Sequence, residues 1–167
     1  MKRLTSICLL LLLILSGCAG TEDAVTEVIF YYQRAETAYG TGEDVIVGEE
    51  HTLPQKNPNL AYLLDQYLQG PLDPALKLPL PNGTQVLEIR RENHVLTLVF
   101  SPELSRLENM ELSVACACVS YTCFSATDAV QIRIESASMD EGTPVSFTAS
   151  RDTFLLFDDT TGAADAS

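Results

Sequence analysis

The chain has 167 residues, of which 10 are basic and 23 are acidic, so its formal net charge is −13 at pH 7. An acidic, sparsely basic protein is repelled by nucleic acid and by anionic lipid, so the composition argues against both as partners. The length suffices for one hydrophobic core without disulfide bonds.

The first 18 residues have the pattern of a lipoprotein signal peptide. Lys2-Arg3 form a charged start, an apolar run extends to Leu15, and Leu15-Ser16-Gly17-Cys18 fits a lipobox. The apolar run is shorter than the roughly 20 residues that span a bilayer, which disfavours a membrane-spanning helix. We expect residues 1–17 to be removed and Cys18 to carry a lipid that anchors the protein on the extracytoplasmic face of the cell membrane.

A short tether and two strands should follow the anchor. Residues 18–26 reach less than roughly 30 Å when extended, and residues 27–157 are the predicted domain. Val28–Tyr32 and Asp44–Val47 are predicted strands, joined by a turn at residues 40–42. Their neighbouring tyrosines supply either core or a surface patch, with core favoured because strands pack aromatic residues well: Tyr31, Tyr32 and Tyr39.

The leucine spacing predicts a helix over residues 58–69, with Asn57-Pro58 as its start and Gly70-Pro71 as its end. Its apolar residues share one face: Leu60, Leu63, Leu64, Tyr67 and Leu68. Four prolines then predict a stiff, extended connector: Pro71, Pro74, Pro79 and Pro81.

Residues 85–91 and 94–100 predict a β-hairpin with Glu92-Asn93 as a two-residue turn. That register pairs Ile89 with Leu96 and Leu87 with Leu98 on the apolar face, and Glu88 with Thr97 on the other.

A second helix is predicted from Asn109, as its cap, to about Phe124. It is apolar on two faces, so we expect it to be buried between layers. Its cysteines are predicted to be small buried hydrophobes: Cys116, Cys118 and Cys123. A soft-metal or redox site is the alternative, although the spacing is not C-x-x-C and no histidine lies nearby.

The last third of the chain should complete a sheet. Residues 129–135 alternate apolar and polar side chains and predict a strand. Residues 140–142 predict a turn, and residues 145–147 and 153–157 predict closing strands. The small, acidic tail over residues 158–167 is predicted to be disordered.

The run L-L-D-Q-Y-L-Q-G-P-L-D-P-A-L-K-L-P-L-P-N-G-T-Q-V-L, residues 63–87, resembles the signature of the GerMN (Germane) domain. That domain occurs in sporulation and spore-germination lipoproteins of Gram-positive bacteria. The turn Glu92-Asn93 departs from the Asp-Gly that is frequent in the family. The motif residues that carry the resemblance are Leu63, Leu64, Gly70, Pro71, Pro81, Gly83 and Thr84.

The resemblance covers about residues 27–157. Together with the predicted elements, it implies an α+β fold in which two helices, 58–69 and 109–124, pack on a mixed β-sheet. It also implies a βαββα core like that of ring-building modules in envelope and secretion assemblies, with extra strands. Self-association is therefore one expectation to test.

No catalytic residue, cofactor or metal is predicted, and the chain is not expected to be an enzyme. His51 and His94 are the only histidines, and neither lies in a catalytic or metal-binding motif. The acid pairs at 43–44, 49–50, 140–141 and 158–159 are interpreted as solvated loop acids, with a loose calcium site as the lesser alternative.

Two functions of different class follow. The leading hypothesis is a non-catalytic, membrane-anchored lipoprotein that contacts an envelope protein in cell-envelope or spore assembly or germination. The alternative is a lipoprotein that captures a small molecule or a cell-wall fragment beside the proline connector. A flat apolar patch would favour the first, and a deep apolar pocket with converging polar groups the second.

Overall fold

The computed structural model describes residues 25–36, 44–138 and 144–155. The predicted turns at 40–42 and 140–142 and the tail at 158–167 lie outside these ranges. In chain order, the elements are β1 (Thr26–Arg34), β2 (Ile46–Leu53), α1 (Leu60–Leu68), β3 (Leu76–Lys77), β4 (Val86–Glu92), β5 (Val95–Phe100), a 3-10 helix (Pro102–Arg106), α2 (Asn109–Ala126), β6 (Gln131–Ser136), β7 (Val145–Ser150) and α3 (Arg151–Leu155).

The α+β class is confirmed, but the strands form two sheets where one mixed sheet was expected. The first sheet has the order β2-β1-β3 and is antiparallel. The second has the order β4-β5-β6-β7, in which β5 and β6 are parallel and the other pairs antiparallel. Strands β1 and β2 were expected in the mixed sheet but are not part of it, because β1 pairs with β2 and with a short strand from the proline connector.

Helix α1 confirms the predicted helix and its buried face. Leu63, Leu64 and Tyr67 are buried, and the Tyr67 ring stacks on Tyr32 of β1 with ring centroids 5.0 Å apart. The predicted cap at Asn57 is wrong, because the side chain of Asn59 accepts the first-turn hydrogen bond.

The hairpin forms, but its predicted register is wrong by two residues. Glu92 pairs with Val95, so Ile89 lies opposite Leu98 and Glu88 opposite Val99. The turn is Asn93-His94, since Asn93 takes the left-handed conformation with φ +56° that asparagine tolerates. A β-bulge between Val86 and Glu88 then leaves Leu87 60% exposed, not paired with Leu98.

Helix α2 lies between the two sheets, as its two apolar faces predicted. It contacts β1 of the first sheet and both β6 and β7 of the second. It also supplies the crossover that a parallel β5-β6 pair requires. Asn109 is its first residue and not its cap, which is Glu108.

The end of the described chain differs from the prediction. Strand β7 runs further than expected, to Ser150. Residues 153–155 are helical and belong to α3, so a closing strand at 153–157 is wrong for that part. Arg151 fixes the turn into α3, because its guanidinium donates to the carbonyls of Phe124, Thr127 and Ala129 at the end of α2.

Candidate functional site

The predicted lipid anchor, Cys18, lies outside the described residues, so its lipidation stays a prediction. Strand β1 begins at Thr26, a few residues after it. No helix in the described ranges is both long and apolar enough to cross a bilayer.

The motif residues shape the chain path around the proline connector. Gly70 and Gly83 have φ of +92° and +86°, which side chains with a Cβ rarely adopt. The amide and hydroxyl of Thr84 both donate to the carbonyl of Pro81, at 3.1 and 2.7 Å. Leu63 and Leu64 belong to the core. The signature therefore encodes architecture in this chain.

Glu49 of β2 binds the start of the connector. Its carboxylate accepts from the backbone amides of Leu72, at 3.1 Å, and Asp73, at 2.7 Å. The imidazole Nε2 of His51 lies 2.5 Å from the same carboxylate. Leu72 is 77% exposed, whereas its backbone amide is fixed to the first sheet.

We call Glu49, His51 and the amides of Leu72 and Asp73 the Glu49 clamp. Its electrostatics favour an ionised glutamate. Burial raises the pKa of Glu49, but hydrogen bonds from the Leu72 and Asp73 amides and from His51 outweigh it, so the net pKa lies below its usual value. Burial is also the main reason that the Tyr32 pKa is raised, with a smaller contribution from the Glu49 charge.

Sequence reasoning missed this clamp. The interpretation of Glu49-Glu50 as solvated loop acids is wrong, because both lie in strand β2; Glu50 is on its outer face, and Glu49 shares the inner face with His51. The available signal was their i, i+2 spacing, since such residues point to one side of a strand. The connector amides could not be foreseen from that spacing.

The three cysteines of α2 are buried and unpaired. Burial raises the pKa of each thiol to about 12, which suppresses the reactive thiolate. Their predicted place as small hydrophobes in the core is confirmed. Among the described residues, no group of three or more His, Cys, Asp or Glu side chains could hold a metal ion.

The tyrosines of β1 divide between the two faces of the first sheet. Tyr32 is fully buried in the predicted core, whereas Tyr31 faces outward and contacts Tyr121 of α2, with ring centroids 5.2 Å apart. Tyr39 lies outside the described residues. Both alternatives weighed from the sequence, core and surface patch, therefore occur at adjacent positions.

Helix α2 is bonded to the edge of β1, which brings the two rings together. The hydroxyl of Thr122 accepts from the Tyr31 amide at 2.9 Å, and the hydroxyl of Ser125 donates to the Ile29 carbonyl at 3.0 Å. Because the Tyr31 backbone is fixed to Thr122, the preceding helix residue Tyr121 lies beside the Tyr31 ring.

Four residues form an uncharged outer surface that we call the tyrosine patch: Ile29, Tyr31, Gly48 and Tyr121. Ile29 is 40% exposed and Tyr31 and Tyr121 are half-buried. A Cβ at Gly48 would lie 3.0 Å from Ile29 and 3.3 Å from Tyr31, so glycine gives these side chains room to approach the β2 backbone. Partly exposed aromatic and aliphatic residues with a polar rim are typical of protein interfaces.

Two open depressions adjoin these features. One is a groove of about 610 Å³ at the start of β1, which shares Ile29 with the tyrosine patch and has Glu27 and Glu50 on its walls. The other is a cleft of about 420 Å³ beside the proline connector, where Lys77 and Arg106 are among the lining residues.

Comparison with known protein families identifies the family to which this chain belongs. A family model, Germane, described as "Sporulation and spore germination", matches residues 29–140. The chain belongs to the Germane family. The matched range includes the Glu49 clamp, the connector and the whole tyrosine patch of this Germane domain.

Two solved structures match most of this Germane chain. The tandem GerMN domains of the sporulation protein GerM from Bacillus subtilis match with a TM-score of 0.51 and 16% identity, over 77% of this Germane chain and 48% of that chain. A candidate lipoprotein from Clostridium perfringens matches with a TM-score of 0.41 and 18% identity, over 81% of this chain and 93% of that one. This Germane chain thus spans about half the length of the tandem-domain protein. No curated protein matches it in sequence.

Proposed function

We propose that this Germane protein is a non-catalytic lipoprotein, anchored through Cys18 on the extracytoplasmic face of the membrane. It acts there by contacting an envelope protein during sporulation or germination. The observation that carries the contact role is the tyrosine patch, a partly exposed group of uncharged residues on a chain of net charge −13. Family membership supplies the process.

The patch is suited to contact because its backbone is already ordered. The Thr122 hydroxyl accepts from the Tyr31 amide and the Ser125 hydroxyl donates to the Ile29 carbonyl, so both residues of the patch are fixed to α2 through their backbone. Between Glu111 and Asp128 the chain has no charged residue, so this part of α2 offers little charge to desolvate on binding. An ordered backbone and a low charge both reduce the free-energy cost of association.

The test of the contact role is a pair of substitutions, Tyr31→Ser and Tyr121→Ser, in the producing organism. We expect the double variant to lower sporulation or germination efficiency while its protein level, measured by immunoblot, stays normal. The control is Thr148→Ala, a change at an exposed position of β7. Normal efficiency in the tyrosine double variant would contradict the role.

The anchor is tested separately with Cys18→Ala. Removing the lipidated sulfur should move the protein out of the membrane fraction, because paired acyl chains supply the attachment. A matched Cys118→Ala change, in the core, should leave fractionation unchanged. If Cys18→Ala stays with the membrane, the anchor assignment is wrong.

A second function is favoured by the cleft beside the connector, where a ligand-binding lipoprotein was expected to hold its ligand. Pro79 and Pro81 are among the lining residues, and Lys77 and Arg106, opposed there by the single carboxylate of Glu111, offer two cations for an anionic small molecule or wall fragment. Equilibrium binding of muropeptides to the wild type and to Lys77→Gln, Arg106→Gln would decide it. Saturable binding that the double variant loses would establish capture, and no binding would exclude it for that ligand class.

A further inference from the structure

The groove at the start of β1 continues the tyrosine patch and carries a charge pattern of its own. Its apolar residues come from β1, helix α1, helix α2 and the loop before α1: Val28, Ile29, Pro58, Leu63 and Ala126. Ile29 belongs to both the groove and the tyrosine patch, so the two form one surface.

Two carboxylates flank this apolar floor. Glu27 and Glu50 both lie on the outer face of the first sheet, where Glu50 pairs across the strands with Ile29. Both are exposed, and the described residues place no cationic side chain within salt-bridge distance of either. Arg90 and Arg91 of the hairpin form ion pairs with Glu135 and Asp128.

An apolar floor with two free carboxylates favours a segment that carries both apolar and basic side chains. We propose that the groove binds an apolar, lysine- or arginine-bearing segment of a different protein, whose contact continues onto the tyrosine patch. The proposal rests on the proposed contact function and adds the chemistry of the partner.

Charge complementarity also favours this occupant over a second copy of the chain and over the chain's own N- and C-terminal segments. A second copy would bring two further glutamates to the same surface and another net charge of −13. The sequence before β1 contains Glu22 and Asp23, and the C-terminal tail contains Asp158, Asp159 and Asp165, so both flanks are acidic. Like charges at an interface disfavour all three of these pairings.

The test uses two synthetic peptides with the same apolar residues, one with lysines and the other with glutamates at the polar positions. Their binding to the full chain, purified in phosphatidylcholine nanodiscs, is measured by fluorescence anisotropy, with empty nanodiscs as the blank. We expect the lysine peptide to bind more tightly by at least roughly tenfold, and its affinity to fall as salt is raised, since exposed charge pairs are screened. Equal affinity of the two peptides would overturn the proposal.

Variants locate the binding. Glu27→Gln with Glu50→Gln should weaken lysine-peptide binding by roughly three- to tenfold, the effect of two exposed charge pairs. Glu108→Gln with Glu111→Gln removes the same charge at the other end of α2 and should change affinity less than about twofold. An equal effect of both double variants would overturn the groove assignment.

The tyrosine variants separate this inference from the proposed function. If Tyr31→Ser with Tyr121→Ser weakens both peptides while the glutamate variants change nothing, the contact surface stands and its preference for a basic partner is wrong. If concentration-dependent dimers form in sedimentation equilibrium and Tyr121→Ser abolishes them, the occupant is a second copy and the proposal is overturned. If the tyrosine variants sporulate and germinate normally and also bind both peptides as the wild type does, the proposed contact function is wrong.

Discussion

The Glu49 clamp gives the sharpest prediction about how the connector is held. Replacing Glu49 with Ala removes the acceptor for the Leu72 and Asp73 amides and for His51. A hydrogen bond to a charged group contributes about 1.5–3 kcal/mol. The two released amides lie in an exposed loop where water can replace the carboxylate, so we assign each of the two bonds the lower value of about 1.5 kcal/mol. The expected loss in the free energy of unfolding is therefore about 3 kcal/mol in total.

Two further variants test the cause. Glu49→Gln keeps one acceptor oxygen but no charge, so it should cost about half as much as Glu49→Ala. Glu50→Gln changes the neighbouring acid on the outer face and should change stability by less than about 0.5 kcal/mol. Urea unfolding followed by circular dichroism measures all three, and hydrogen exchange should show the Leu72 and Asp73 amides losing protection only in the Glu49 variants.

The sign of the pH dependence follows from the lowered pKa of Glu49. A carboxyl group with a lower pKa in the folded state stabilises the fold above its unfolded pKa of about 4.3, and this stability is lost as the pH falls through the folded pKa. The stability difference between the wild type and Glu49→Gln should therefore be full at pH 7 and shrink as the pH falls below about 4. A difference that is constant with pH, or that equals the difference for Glu50→Gln, would refute the clamp.

Three other predictions concern the frame around the surface. Gly70→Ala should destabilise the protein by about 1–2 kcal/mol in thermal unfolding, because φ is +92° there; no loss would mean that the connector adopts another path. Thr122→Val should cost about 1–3 kcal/mol by leaving the Tyr31 amide without its acceptor, whereas Thr148→Val, at an exposed strand position, should be near neutral; equal costs would contradict the edge bond. The three cysteines of α2, with pKa near 12, should react with iodoacetamide at pH 8 only after unfolding, as read by mass spectrometry; rapid labelling of native protein would show that they are accessible.

The sequence predicted the burial of helices α1 and α2 correctly, because the spacing of apolar residues within each helix is enough to show which faces are buried. The α1 face fell where the leucine spacing placed it, and α2 is buried on both sides because residues 112–127 contain no charged side chain to direct it outward. The hairpin register failed because left-handed Asn93 moved the turn by one residue and the bulge shifted the far end of the pair. Neither event leaves a clear signal in an alternating strand.

The candidate site was less predictable because its parts come from distant segments. Alternation along β1 separates Tyr31 from Tyr32, but which of them meets the core depends on α2, 90 residues later. The division of strands into two sheets likewise depends on β3, whose two residues lie in a proline-rich stretch that showed no strand pattern. The Glu49 clamp needs the connector amides, which no spacing within β2 reveals.

The central claim is that the tyrosine patch is a protein-contact surface, and site-specific photocrosslinking in the producing cells tests it most directly. A photoreactive phenylalanine analogue is placed at Tyr121 and, as the matched control, at Thr148 on the exposed side of β7. We expect a discrete adduct of higher mass from position 121, lost when Tyr31 is changed to Ser, and none from position 148. The absence of an adduct at 121, or the same adduct from both positions, would contradict it.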